Sequence, residues 1–390
     1  MPYEVKIVFS TILLFSTFAQ SAPNPLRIIA TPELSQTVFS WQHDRCFDTH
    51  IPDSPARAFR SSSGTVYLYA THYTNIPLAG TSIDHVKPEC EINFQGANST
   101  DPSTYNTRIW LQTFFSTNSG KDVYSLGSSD YHGKWFNNCD LKTITSSDCW
   151  QSAIVLAHSS DGGKTFVIAH PPKHVIANSS QRYSPTQKGS VGFLTTSNIV
   201  KINNYFYSLF YASADKSQDS GNCLARTGDL SDPRSWRAWN GQSFEVPLYH
   251  KETKNLEITT CRKILSLPFK VRSLLWHAES DGYIAVFEQT RSLTDPERRT
   301  DVTFAYSWSS NLKDWSQPTK IITLMGNSNC KRPIVPGAYP SLIDSSSLDE
   351  NFGSVGGNAY LYYTKFNLQA NCHLTLDRDL VRMPVRIHSK

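Results

Sequence analysis

The chain has 390 residues and a formal charge of +4 with no basic block, a balance that gives no electrostatic case for nucleic acid. After Ala22 every apolar run is broken within a few residues, short of the roughly 20 needed to span a bilayer. Nucleotide-binding glycine loops, metal-ligand spacings and nucleophile elbows are absent, so the enzyme classes built on them have nothing to recommend them.

In chain order, a short apolar run from Val5 to Phe15 closes on the small residues around Ala19 to Ala22. This is the plan of a signal peptide over residues 1–22, and it predicts a secreted or periplasmic protein. The eight cysteines all follow it, and an even count in an exported chain predicts disulfides. Joining neighbours gives Cys46–Cys90, Cys139–Cys149, Cys223–Cys261 and Cys330–Cys372 as the expected set.

Beyond residue 22, short β-branched and aromatic runs alternate with clusters of Ser, Asn, Gly and Asp, as at Thr65–Tyr73, Ala153–His158, Tyr205–Ala212, Tyr283–Thr290 and Asn358–Phe366. Helical periodicity is almost missing, so the expected class is all-β. Three segments align: Ser159-Ser160-Asp161-Gly162-Gly163-Lys164-Thr165-Phe166, Thr227-Gly228-Asp229 with Trp236, and Ser309-Ser310-Asn311 with Trp315. In each, Ser or Thr stands two residues ahead of Asp or Asn, where short oxygen side chains bond the turn's own backbone. The repeat length fits one four-stranded blade, and no linker divides residues 23–390. One β-propeller domain of five blades is expected, with six as the alternative because residues 74–108 have room for irregular strands.

The segment Ser159–Phe166 resembles the Asp box of sialidases and related propellers. The other two turns, with Asp53-Ser54-Pro55 ahead of Gly64–Tyr69, resemble five-bladed arabinanase, xylosidase and invertase-type glycosidases. The likeness implies an axial funnel in which carboxylates cleave a glycosidic bond of an oligosaccharide, polysaccharide or glycoconjugate. A monomer without a cofactor or metal is expected. Those enzymes carry an acid Glu on the third inner strand; the matching Thr195-Thr196-Ser197-Asn198-Ile199 has none. A sialidase-like enzyme and a non-catalytic carbohydrate-binding propeller remain as alternatives.

Glycoside hydrolysis needs one carboxyl group to protonate the leaving group and another to act as base or nucleophile. Asp53 matches the first-blade base, or is a Pro-flanked turn residue. Asp130 follows a strand in Ser128–Gly133, and Glu288 follows the apolar residues Ala285–Phe287, where burial would suit it as the acid. Candidate substrate-binding groups are Arg57, Arg272 and Tyr339 as a carboxylate clamp, with Arg226 or Arg108 as a third arginine. His72, Asp84, His85 and His132 complete the polar set, and Trp110, Trp150 and Trp276 are candidate sugar platforms.

Overall fold

The computed structural model describes residues 23–215, 217–251, 260–290, 301–326, 335–369 and 373–390. The expected signal peptide and the Cys330–Cys372 pair lie outside these residues. The other three expected disulfides are present, with Cα–Cα distances of 5.4 Å for Cys46–Cys90, 5.8 Å for Cys139–Cys149 and 5.7 Å for Cys223–Cys261. Among the described residues no helix is long and apolar enough to cross a membrane.

The described strands form four hydrogen-bonded sheets, in which antiparallel pairing marks five units, the second and third sharing one sheet through the parallel pairing of Ser190–Thr196 with Trp150–Ser159. Each unit is led by one strand: Arg57–Arg60, Ile109–Thr117, Ser190–Thr196, Val271–His277 and Gly337–Ile343. These leading strands touch one another in sequence, and the fifth touches the first, so they enclose an axis. The N-terminal strand Leu26–Ala30 pairs with the C-terminal strand Arg378–Ser389, which places both ends of the described chain in the fifth unit and closes the ring. This is a β-propeller, an arrangement that leaves only short sheet edges.

The hydrophobic core follows the same circle. Five clusters each lie between two successive units, for example Phe59, Tyr67, Ile109 and Val155 between the first and second, and Leu209, Leu274, Phe287 and Trp315 between the third and fourth. A sheet covered on both faces needs apolar residues on both faces, which is why these strands read as continuous runs rather than as alternation. Partway along the axis small hydroxyl side chains pack where the leading strands meet. Thr113, Thr196, Ser273 and Ser341 are fully buried there, and their hydroxyls tie neighbouring strands together: Thr113 Oγ1 lies 2.9 Å from Thr196 Oγ1.

The three aligned turns join the third and fourth strands of the second, third and fourth units, on the outer side of each. In the first, Ser159 Oγ accepts the Gly163 amide at 2.8 Å while Asp161 Oδ1 accepts the Lys164 and Thr165 amides. Gly163 has φ 92°, and a Cβ there would lie 2.4 Å from the Phe59 ring, so only glycine serves. The aromatic residue after each turn, Phe166, Trp236 or Trp315, is buried. Trp315 also donates its indole N–H to the Leu312 carbonyl at 2.8 Å. Trp315→Ala is expected to cost about 3–5 kcal/mol in urea unfolding, and a loss under about 1 kcal/mol would mean that the turn does not anchor its unit.

Candidate functional site

Strand direction sorts the loops to the two ends of the axis. Each leading strand starts at the end we call upper, so residues that precede it, or that end its antiparallel neighbour, gather there. Asp53 and Lys270 precede leading strands; Asp130 and Glu288 lie late in second strands; Arg378 begins the third strand of the fifth unit.

At this upper end one circuit of contacts passes through all five units. Asp53, held by its amide on the Ala70 carbonyl at 2.9 Å, accepts the Trp110 indole N–H on Oδ2 at 3.3 Å. Its Oδ1 accepts the Tyr339 hydroxyl at 3.3 Å and the Arg378 guanidinium. Tyr339 in turn donates its backbone N–H to Glu288 Oε2 at 2.7 Å. Glu288 Oε1 accepts Arg272 Nε at 2.9 Å and Nη2 at 2.5 Å, and Arg272 Nη1 reaches Thr195 Oγ1 at 3.4 Å. Thr195 Oγ1 donates to Gln112 Oε1 at 2.9 Å, and Gln112 shares its strand with Trp110, which closes the circuit.

Tyr339 enters this circuit through backbone geometry. Its φ is 61°, rare for a bulky residue, and the pairing register shifts between Ala338 and Ser341. The resulting bulge re-aims Tyr339, bringing its N–H to Glu288 and its hydroxyl to Asp53. Burial, reinforced by the charge of Asp53, pushes the Tyr339 phenol well above its ordinary pKa, so it stays a donor.

Asp130 sits beside the circuit. Its Oδ1 accepts the Ser152 hydroxyl at 2.6 Å and the Ser128 hydroxyl at 2.9 Å. Burial raises its pKa to about 6; the hydroxyls of Ser152 and Ser128 pull it back in part, and the charge of Asp53 adds to the rise. Glu288 does not share that setting. Both of its oxygens are occupied as acceptors, from a guanidinium and a backbone amide. The contact responsible, Arg272 across the neighbouring strand, is tertiary.

Above Asp130 an aromatic wall rises to the rim. His132 stacks on Trp150 at 4.6 Å and meets Trp135 at 4.0 Å, while Trp110 meets His72 and Tyr73, each at 5.3 Å. Burial lowers the His72 pKa to about 4 and that of His132 to about 3, with nearby cations adding to each, so both rings are neutral at pH 7. His72 Nε2 lies 4.0 Å from Asp53 Oδ2.

Among the described residues three arginines reach the axis: Arg57, Arg272 and Arg378. None is open for a clamp. Arg57 is 2% exposed and donates to the Ala56 carbonyl, to Ser341 Oγ at 2.9 Å and to the Arg272 carbonyl. Arg272 holds Glu288 and Arg378 holds Asp53.

Four sequence candidates lie elsewhere. Asp84 and His85 occupy the turn after the third strand of the first unit, which the alternation of strand direction sends to the lower, outer rim; there Asp84 pairs with Arg382 and His85 meets Ser82 Oγ at 2.9 Å. Trp276 ends its leading strand and so faces the lower end, beside Tyr283 at 5.0 Å. Arg226 is on an outer strand between Tyr205 and Phe244. Sequence reasoning missed Arg378, Gln112, Thr195 and Lys270, because nothing local distinguishes a charged or polar residue at a strand end that faces the axis from one that faces water. Among the described residues no three His, Cys, Asp or Glu side chains converge as metal ligands.

No protein-family model and no curated protein matches the chain. Among solved structures it is similar to the endo-1,5-α-L-arabinanase of Thermotoga petrophila, at 12% identity and TM-score 0.49, over 86% of this chain and 71% of that one. It is also similar to an α-L-arabinanase of Cellvibrio cellulosa, at 11% identity and TM-score 0.45, over 85% and 90%. An N-acetylgalactosamine deacetylase of F. plautii is similar at 11% identity and TM-score 0.45, over 93% and 95%. Likeness of this size says nothing of activity, and these enzymes differ in reaction.

Proposed function

We propose that the protein is an exported glycoside hydrolase whose reaction takes place at the upper end of the axis. The observation that carries this reading is a pair of carboxyl groups in opposite surroundings at one end of one axis. Asp53 is 18% exposed and meets only donors: a guanidinium, a phenol and an indole. Asp130 is buried and keeps its proton up to a pH of about 6. Two carboxyl groups whose environments separate them in this way mark the acid and the base of glycoside hydrolysis.

In this reading a sugar enters along the wall of Trp110, Trp135 and Trp150. Asp130 protonates the oxygen of the leaving sugar, and Asp53 acts at the anomeric carbon directly or through a water. Glu288 holds Arg272 and the bulged Tyr339, which keeps the Tyr339 hydroxyl on Asp53. A binding propeller without turnover is the second reading, favoured by the ion pairs that already occupy Asp53 and Glu288. The two separate in the Asp53→Asn variant, which keeps the indole and phenol contacts but not the charge. Hydrolysis of an aryl glycoside is expected to fall by about a thousandfold or more, measured well below the unfolding temperature of the variant because the Arg378 pair is lost as well. Undiminished turnover would place the reaction elsewhere.

A further inference from the structure

The charges at the upper end do not balance. Among the described residues five cationic side chains gather there, Arg57, Arg108, Lys270, Arg272 and Arg378, against three carboxyl groups, Asp53, Asp130 and Glu288. Arg272 and Arg378 have carboxylate partners. Among the described residues the other three make no ion pair: every described partner of Arg57 is neutral, Arg108 stacks on Trp135 at 3.5 Å and on Tyr73 at 5.2 Å, and Lys270 lies 5.3 Å from the centre of the Tyr211 ring, with Glu288 and Asp130 acting on it only through their field. The next acidic residues in the chain do not help. Asp377 and Asp379 flank Arg378, but strand alternation turns them away to Gln42, Trp41 and Asn367.

Position distinguishes the unpaired cations. Arg57 is sealed beneath Arg272 and acts only through its field. Lys270 is half-buried, two residues before Arg272 at the head of the leading strand, and its Tyr211 neighbour pairs with Thr195 of the contact circuit. Its ammonium is close enough to both Glu288 and Asp130 to feel their charge. Burial and the repulsion of Arg272 lower its pKa to about 8, offset in part by Glu288 and Asp130, so it is still charged at pH 7. A partly buried ammonium with no carboxylate at ion-pair distance is only partly compensated, and a ligand that supplies an anion there relieves the remaining cost.

We infer that the glycan taken by this site carries an anionic group, a carboxylate or a sulfate, which Lys270 receives beside the reacting carboxyl groups. This inference rests on the proposed glycan site and specifies its substrate class. A neutral sugar would leave the cationic surplus in place, whereas an anionic one brings it toward zero.

The test is calorimetric binding at pH 7 of three probes to the oxidised protein: an oligogalacturonate tetrasaccharide, a heparin-derived sulfated tetrasaccharide and neutral xylotetraose. Lys270→Met and Lys270→Arg are compared with the wild type, and released sugars are followed in parallel. At least one anionic probe is expected to bind more tightly than the neutral one, to lose about tenfold or more in affinity in Lys270→Met, and to recover in Lys270→Arg. The probe that responds separates carboxylate from sulfate recognition. Neutral xylotetraose binding as well as either anion, no anionic binding at all, or anion binding indifferent to Lys270→Met would each overturn the inference. Binding of an anionic probe without any turnover would leave it standing and count instead against the hydrolase reading.

Discussion

Replacing Glu288 by Gln is expected to destabilise the protein by about 3–5 kcal/mol, the loss found when one partner of a buried ion pair is removed. Glu288 and Arg272 are 15% and 10% exposed, and Arg57 lies directly beneath with no carboxylate of its own. Gln can accept one hydrogen bond from Arg272, but it cannot neutralise it. Two guanidinium groups would then face each other with no opposing charge between them. That repulsion already acts on Arg57, whose pKa is lowered to about 9, by burial first and by Arg272 second. The double variant Arg272→Met with Glu288→Leu removes both charges and is expected to recover most of the loss, because the desolvation cost of the pair disappears with its attraction. Urea unfolding of the two variants checks this; a Glu288→Gln protein within about 1 kcal/mol of the wild type would show that the pair does not hold the site together.

Asp130→Asn is expected to lower turnover by about a hundredfold to ten-thousandfold, the range for removal of a general acid. It should do so without destabilising the fold at pH 7. Asn keeps an oxygen for the Ser128 and Ser152 hydroxyls but has no charge to bury. The sign follows from linkage. Folding raises the Asp130 pKa from about 4 to about 6, so its contribution to stability is complete below pH about 4 and is lost as pH rises through about 6. At pH 7 the variant escapes that penalty, of the order of 1–3 kcal/mol. His72 and His132 act in the opposite direction. Their folded pKa values of about 4 and about 3 lie below the ordinary value near 6.5, so stability falls as the pH drops from about 6.5 toward 4. A variant equally stable or more stable at pH 7 yet inactive assigns Asp130 to chemistry, whereas a parallel loss of stability and activity assigns it to structure.

How much of this was legible in the sequence depended on the range of the interactions involved. The turns at Ser159, Thr227 and Ser309 could be read directly, because a Ser or Thr oxygen that bonds its own turn is a local event. The three described disulfides also join cysteines that are neighbours in sequence, as expected of units that pack next to their predecessors. The axial position of Asp53, Asp130 and Glu288 could be reached by placing strands and counting their ends. Asp84 and His85 went astray by the same count: one strand further along, the turn falls at the other end of the axis. The role of Glu288 could not be read, because it depends on Arg272 from an adjacent strand. Arg378 was invisible for a stronger reason, since it meets Asp53 across 325 positions of sequence.

The most direct test of the central claim is a panel of neutral, uronate-containing and sulfated oligosaccharides and aryl glycosides incubated with the oxidised wild-type protein and with Asp53→Asn, with released sugars identified by mass spectrometry. A site with Asp53 among donors and a protonated Asp130 predicts that the wild type releases sugar from at least one substrate, fastest where Asp130 still holds its proton, near or below pH 6, and that Asp53→Asn releases none. Binding of glycans by both proteins with no sugar released by either would contradict it and identify the upper end of the axis as a binding surface.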